Sequence, residues 1–377
     1  MMNCCEEKDI IQEEFSFTSS LDGVGPLRSL AVYSRNARKL PLMILQCGYC
    51  GGRDSLLYSA KRMAARGYFC VGNGRRGMVE QPGHHDDGGI EIMDIYDSRQ
   101  AAVAKYGEKI DGSGTSIIGY SNGGGNVFSA LVRFPYLFRA GMALFGISDY
   151  GKWASSAFSG NFAKAVIQAV GGTPEEVPDK YLVRNAVMAA GNLRGVRFHI
   201  AYDEKETTCP ISMDEAFVEA AKKTGYENIF VHASKASDQH RWLHGYNDEK
   251  NILSPIEDIF MDDIEKNPLP PPQMGTTGSF IVPGFLVTPR FTCVVGHGDD
   301  AVATINCQFT DKSAKFTLAP ISSDKNAKAQ ITMPQNMPRK ETEVVINSTS
   351  AGIAKEDLPL KAETTINGTL EFRIVRK

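Results

Sequence analysis

At 377 residues the chain is long for one hydrophobic core, so two domains are expected. Its 42% hydrophobic and 23% charged content is ordinary for a globular protein, and a net charge of −3 excludes any general pull toward nucleic acid or anionic membrane. No apolar run is long enough to span a bilayer, the first residues have no secretory leader, and eight scattered cysteines do not make a disulfide framework; the expected setting is cytoplasmic, unless a leader has been removed.

In chain order, Glu14–Thr18, Leu27–Tyr33 and Leu42–Gln46 read as strands, the last nearly continuously apolar as in a strand covered on both faces. Ser55–Arg66 has helical spacing and stops at Gly67, a good C-terminal cap. A strand at Tyr68–Val71, a Gly- and Arg-rich loop from Gly72 to Gly77 and a helix from Ile92 to Tyr106 follow. Further strands are predicted at Thr115–Ile118, Ala140–Phe145, Arg197–Tyr202 and Asn228–Ala233, with a helix at Ser212–Lys223 between the last two. Alternation of this kind implies a mostly parallel sheet with helices on both faces, and ligands then bind beyond the carboxyl ends of the strands.

Two segments depart from the pattern. Residues 150–190, with Trp153, Phe158 and Phe162, are too long for a simple connection, and a cap-like insertion is expected there. After a helix at Ile256–Lys266, the run Asn267-Pro268-Leu269-Pro270-Pro271-Pro272 reads as a stiff linker, extending to 278. Beyond it come short strand-like runs such as Thr304–Cys307 and Leu370–Val375, so residues 279–377 are expected to form a small all-β sandwich behind a catalytic domain at 1–266.

The strongest local signal is Gly119-Tyr120-Ser121-Asn122-Gly123, a G-x-S-x-G between a strand and a helix. Such a turn exposes the serine oxygen at the edge of a sheet and needs small neighbours, which points to Ser121 as a nucleophile. A serine hydroxyl needs a base, oriented by a carboxylate, and in this architecture the chain order is serine, acid, histidine. The loop after Arg197–Tyr202 offers Glu206 and Asp203, with Glu206 preferred. The loop after Asn228–Ala233 offers His240 and His244, with His240 preferred for its shorter distance from the strand. The oxyanion donors are expected to be the N–H of Asn122 and, on the loop after Leu42–Gln46, Tyr49. No metal or cofactor is expected: Cys47-x-x-Cys50 lacks a partner pair, and His84-His85-Asp86-Asp87 reads as a structural turn.

Residues 40–265 resemble an α/β-hydrolase, nearest its prolyl-oligopeptidase-like and acetyl-xylan-esterase-like branches. The matching pieces are Gly119–Gly124, Arg133-Phe134-Pro135 with Phe138–Gly141, and Asp86-Asp87-Gly88-Gly89. The family's acid, an aspartate four residues before a proline, falls on Glu206 relative to Pro210. The resemblance implies hydrolysis of an acyl ester or a peptide. Because only residues 1–39 precede the hydrolase segment, an esterase acting on a small-molecule or carbohydrate ester is the leading expectation. A peptidase of prolyl-oligopeptidase type comes next, then an inert glycan- or partner-binding protein.

Overall fold

A computed structural model describes residues 9–36, 38–49, 51–156, 160–238, 241, 242, 244, 253–333, 342–347, 349–354 and 360–374. Its centre is an eight-stranded sheet built from β1 (Ile10–Phe17), β2 (Leu27–Ser34), β3 (Leu40–Gln46), β4 (Phe69–Asn73), β5 (Ile110–Tyr120), β6 (Phe138–Leu144), β7 (Arg197–Asp203) and β8 (Ile229–Ser234). The strand order is β1-β2-β4-β3-β5-β6-β7-β8. The first two strands run antiparallel, and all pairings from β4 to β8 are parallel.

Successive side chains of a strand point to opposite faces, and here both faces are covered. Leu42, Ile44, Ile117 and Ile200 pack on one side with α2 (Glu91–Tyr106), α3 (Asn122–Arg133) and α7 (Ser212–Lys223). Met43, Leu45, Ile118 and Met142 pack on the other with α1 (Leu57–Ala65) and α8 (Ser254–Lys266). This two-sided burial accounts for the unbroken apolar run of β3. Residues 150–190 form three short helices, α4 (Tyr150–Ala154), α5 (Phe162–Val170) and α6 (Pro178–Val183).

Beyond the proline-rich run, the strands from β9 (Thr277–Pro283) and β10 (Phe285–Val287) onward form antiparallel sheets of four and six strands. Residues of both sheets, among them Val282, Leu286, Ile305, Phe316 and Ile331, share one core, which makes the unit a sandwich. Cys293 and Cys307 are free, buried thiols within it and form no bridge.

The two units also share buried contacts. Arg133, at the end of α3, is fully buried and donates from Nε to the Pro283 carbonyl (2.8 Å) and from Nη2 to the Val183 carbonyl (2.7 Å). Asn192 exchanges two hydrogen bonds with the backbone of Ile281, 2.6 and 2.9 Å long, in the manner of an added strand residue. Arg184 lies between Asp86 and Asp299, 3.7 Å from a carboxylate oxygen of each.

Candidate active site

β5 ends at Tyr120, and α3 begins at Asn122, so Ser121 alone makes the turn. Its backbone has φ 57° and ψ −123°, a region that L-residues avoid and that the surrounding packing must enforce. The flanking glycines show how tight the turn is. A Cβ on Gly119 would lie 2.1 Å from the Gly123 carbonyl oxygen, and one on Gly123 would lie 2.4 Å from the Gln46 carbonyl oxygen. Only hydrogen fits at either place, so the glycines of the G-x-S-x-G pattern are explained by steric exclusion.

The parallel register places three loops at the same sheet edge. The Ser121 turn follows β5, Glu206 follows β7, and His244 follows β8. His244 Nε2 lies 2.8 Å from Ser121 Oγ. Its Nδ1 lies 3.1 Å from Glu206 Oε1, at hydrogen-bond length though not well aligned for a donor. Phe145, held at φ 53° just after β6, stacks on the His244 ring with centroids 5.2 Å apart. Glu206 is nearly buried, and the backbone N–H groups of Thr208 (2.5 Å) and Cys209 (2.9 Å) donate to its Oε1. Burial alone would raise its pKa. The neighbouring His244 and the two N–H donors outweigh that and hold the carboxyl below its usual range.

Among the expected site residues, the structure thus brings Ser121, His244 and Glu206 together. His240, the preferred base from sequence, lies outside the described residues; the imidazole against Ser121 is that of His244. Asp203, the alternative acid, faces elsewhere: its carboxylate accepts from Ser234 Oγ (2.6 Å) and from Arg241 Nε (2.8 Å). It makes no described contact with a histidine. The reason is directional, since Asp203 still belongs to β7 whereas Glu206 sits on the turn that follows it.

Asn122 is the first residue of α3, where a backbone N–H has no acceptor within its own helix. Its side chain is fixed by donation to Asp87 Oδ1 (2.7 Å) and by acceptance from the Tyr150 hydroxyl (3.2 Å). The loop after β3 runs against Ser121: a Cβ on Gly48 would lie 3.4 Å from Ser121 Cβ. The next residue, Tyr49, sets its ring edge-on to His85 (5.2 Å) and Phe162 (5.7 Å).

A cavity of about 40 Å³ opens beside Ser121. Tyr49, Trp153, Phe162, Ile147 and Cys209 line it, and no Asp, Glu, Lys or Arg is among its described lining residues. Trp153 and Phe162 come from the 150–190 insertion, and Trp153 is oriented by donation from its indole to the Thr208 carbonyl (2.7 Å). Phe158 lies outside the described residues.

Behind Asn122, His85, Asp86 and Asp87 enter a buried charge cluster, while His84 stays exposed. His85 Nε2 lies 2.7 Å from Asp87 Oδ1, and Arg75 Nη2 lies 2.6 Å from Glu91 Oε1. Burial and Arg75 disfavour charge on His85, but Glu91 and Asp87 prevail and lift its pKa to about 9. Among the described residues no group of side chains is arranged to hold a metal ion, and no helix is long and apolar enough to cross a membrane.

Sequence reading missed Asp87 and Phe145, which contact Asn122 and His244, and Arg241, which pairs with Asp203. For Asp87 a faint signal existed in the Asp86-Asp87 pair before a helix; for Phe145 and Arg241 there was none.

Residues 59–257 match the prolyl oligopeptidase family. The fold is similar to that of acylaminoacyl peptidase from Pyrococcus horikoshii, with 20% identity and a TM-score of 0.56, over 71% of this chain and 43% of that one. It is also similar to a putative dipeptidyl aminopeptidase IV from Bacteroides ovatus, with 18% identity and a TM-score of 0.55, over 68% and 36% of the two chains. A third is a puromycin-hydrolyzing peptidase of Mycobacterium tuberculosis, with 16% identity and a TM-score of 0.52, over 67% and 40%. The matched region spans about two fifths of these longer proteins. No curated protein matches the chain.

Proposed function

This chain belongs to the prolyl oligopeptidase family of serine hydrolases, and on that premise we propose that it is a peptidase that cleaves small, uncharged acyl-amide substrates through Ser121, His244 and Glu206. The observation that carries the reading is the position of His244, 2.8 Å from Ser121 Oγ on one side and 3.1 Å from Glu206 on the other. Membership of a family named for a peptidase, and a fold shared with proteins named as peptidases, favour an amide over the acyl ester expected from sequence.

In this mechanism Ser121 Oγ attacks the acyl carbonyl carbon while His244 Nε2 takes its proton. Glu206 orients the ring and favours the imidazolium that forms. The new oxyanion is held by the Asn122 N–H and by the backbone of Tyr49, a pair in which each donor is worth about 10²–10³ in rate. Collapse breaks the C–N bond, and His244 returns the proton to the leaving amine. A water then attacks the acyl-enzyme by the same route in reverse. The aromatic lining accepts an apolar side chain next to the scissile bond, and among the described lining residues there is no counter-charge for a basic or acidic one.

The test is a panel of N-acylated amino-acid and dipeptide p-nitroanilides against p-nitrophenyl esters, with Ser121→Ala as control. Turnover of the anilides that disappears in the Ser121 variant supports the proposal. Turnover of esters alone would restore the carboxylesterase, and no covalent labelling by a fluorophosphonate would leave an inert binding protein.

A further inference from the structure

Asp203 is almost fully buried and pairs with Arg241, on the loop that carries His244. Arg241 Nε donates to Oδ2 (2.8 Å), and Arg241 Nη2 donates to Oδ1, forming a two-point ion pair. Ser234 Oγ donates to Oδ2 (2.6 Å) and in turn accepts from the Trp242 N–H (3.0 Å). Trp242 itself is buried in the same core cluster as Cys209 and Met213, on the acid side of the site. His244 follows Trp242 by two residues.

The same residue closes the turn that presents Glu206. The Lys205 N–H donates to Asp203 Oδ1 (2.9 Å), and the Glu206 N–H donates to the Asp203 carbonyl (2.9 Å). A second tie runs alongside, from the Ala236 N–H to Glu204 Oε1 (2.6 Å). The acid and the histidine lie on loops separated by a helix and a strand, and Asp203 holds both.

We propose that Asp203 and Arg241 are positioning residues: their ion pair sets the distance between Glu206 and His244, and through it the approach of His244 to Ser121. This rests on the Ser121–His244–Glu206 reading above. Bidentate guanidinium–carboxylate pairs fix orientation as well as distance, and burial of Asp203 shields this one from water. The pair also holds the Asp203 carboxyl below its usual range, against the opposing effect of burial. Catalytic geometry tolerates little error, since misplacement of about 1 Å can cost about 10²-fold in rate.

The experiment measures kcat and KM for Arg241→Met, Arg241→Lys and the charge-free pair Asp203→Asn/Arg241→Met, each alone and with Glu206→Ala. The double variant removes the buried unpaired carboxylate that Arg241→Met would leave, so folding is preserved while the clamp is lost. Expected is a fall in kcat of about 10²-fold in both Met variants with KM little changed, and partial recovery in Arg241→Lys. With Glu206→Ala present, Arg241→Met should cost nothing further, because the clamp acts through Glu206. Unchanged kcat in the folded Met variants, or losses that simply multiply with Glu206→Ala, would overturn the proposal while leaving the triad intact. A wild-type protein whose Ser121 takes no fluorophosphonate label would overturn the triad reading and the clamp together.

Discussion

The Tyr120 hydroxyl donates to Glu257 Oε1 across 2.6 Å, which ties the residue before Ser121 to the helix that follows the histidine loop. Glu257 is fully buried on α8, where Ser59 Oγ donates to the same oxygen (2.6 Å) and Arg62 Nη1 to the other (2.5 Å). One carboxylate thus gathers α1, β5 and α8 behind the elbow. Replacement by Leu leaves the Ser59 and Tyr120 hydroxyls without this acceptor and takes from Arg62 one of its two carboxylate partners, Asp258 (2.6 Å) remaining; each buried donor left unsatisfied costs about 1–3 kcal/mol. Glu257→Leu is expected to lower the urea midpoint sharply. Glu257→Gln keeps acceptors for the two hydroxyls and should lose less. Equal midpoints for the two variants would refute this account.

The histidines separate cleanly by activity. His244→Ala is expected to cut kcat by at least about 10⁴-fold, as loss of a triad base does. His240→Ala should stay within a few-fold of wild type. Glu206→Gln should reduce kcat strongly, whereas Asp203→Asn with Arg241 intact should reduce it less, because an amide still accepts from Ser234 and Arg241. Steady-state kinetics on the best anilide would decide, and a reversed order of the two histidines would move the base to His240.

Arg133 makes the junction between the hydrolase and the β-sandwich testable. It binds the carbonyls of Val183 and Pro283 and lies over the Phe285 ring, 5.0 Å from its centroid. Truncation to Ala removes both hydrogen bonds and leaves a cavity, a combination expected to cost several kcal/mol. Calorimetry should show a lower Tm for Arg133→Ala, and limited proteolysis should cut earlier between residues 267 and 278. A wild-type melting and digestion pattern would mean that the junction adds nothing to stability.

A pH dependence follows from His199. Its Nδ1 lies 3.0 Å from His232 Nε2, and its Nε2 lies 3.0 Å from Asp263 Oδ2. Burial first, and then the adjacent His232, push its pKa down from 6.5 to about 4 despite the carboxylate. Between those two values the unfolded chain binds a proton that the folded one does not, so stability from this site falls as pH drops from 6.5 toward 4. Above pH 6.5 the site contributes no slope. Urea unfolding of wild type and His199→Gln across this range should show the wild type losing stability faster toward acid pH. A constant difference between them would contradict the lowered pKa.

The elbow was legible in the chain itself, because its constraint is local. A serine at φ 57° between β5 and α3 demands glycine at 119 and 123, and that demand leaves a five-residue trace. The strands and helices were legible for a similar reason, since burial on two faces or one writes a short-range period into the residues. The choice between His240 and His244, and between Asp203 and Glu206, left no such trace. From sequence all four have plausible spacing after a strand, and only packing decides which side chain turns toward Ser121. Sequence by itself determined the serine elbow at Ser121, the order of the strands and helices and the sheet that carries them. Tertiary structure placed His244 beside Ser121, gave Asp203 to Arg241 and lined the cavity with Trp153 and Phe162. Those outcomes depend on contacts between segments tens of residues apart, whose geometry no local pattern encodes.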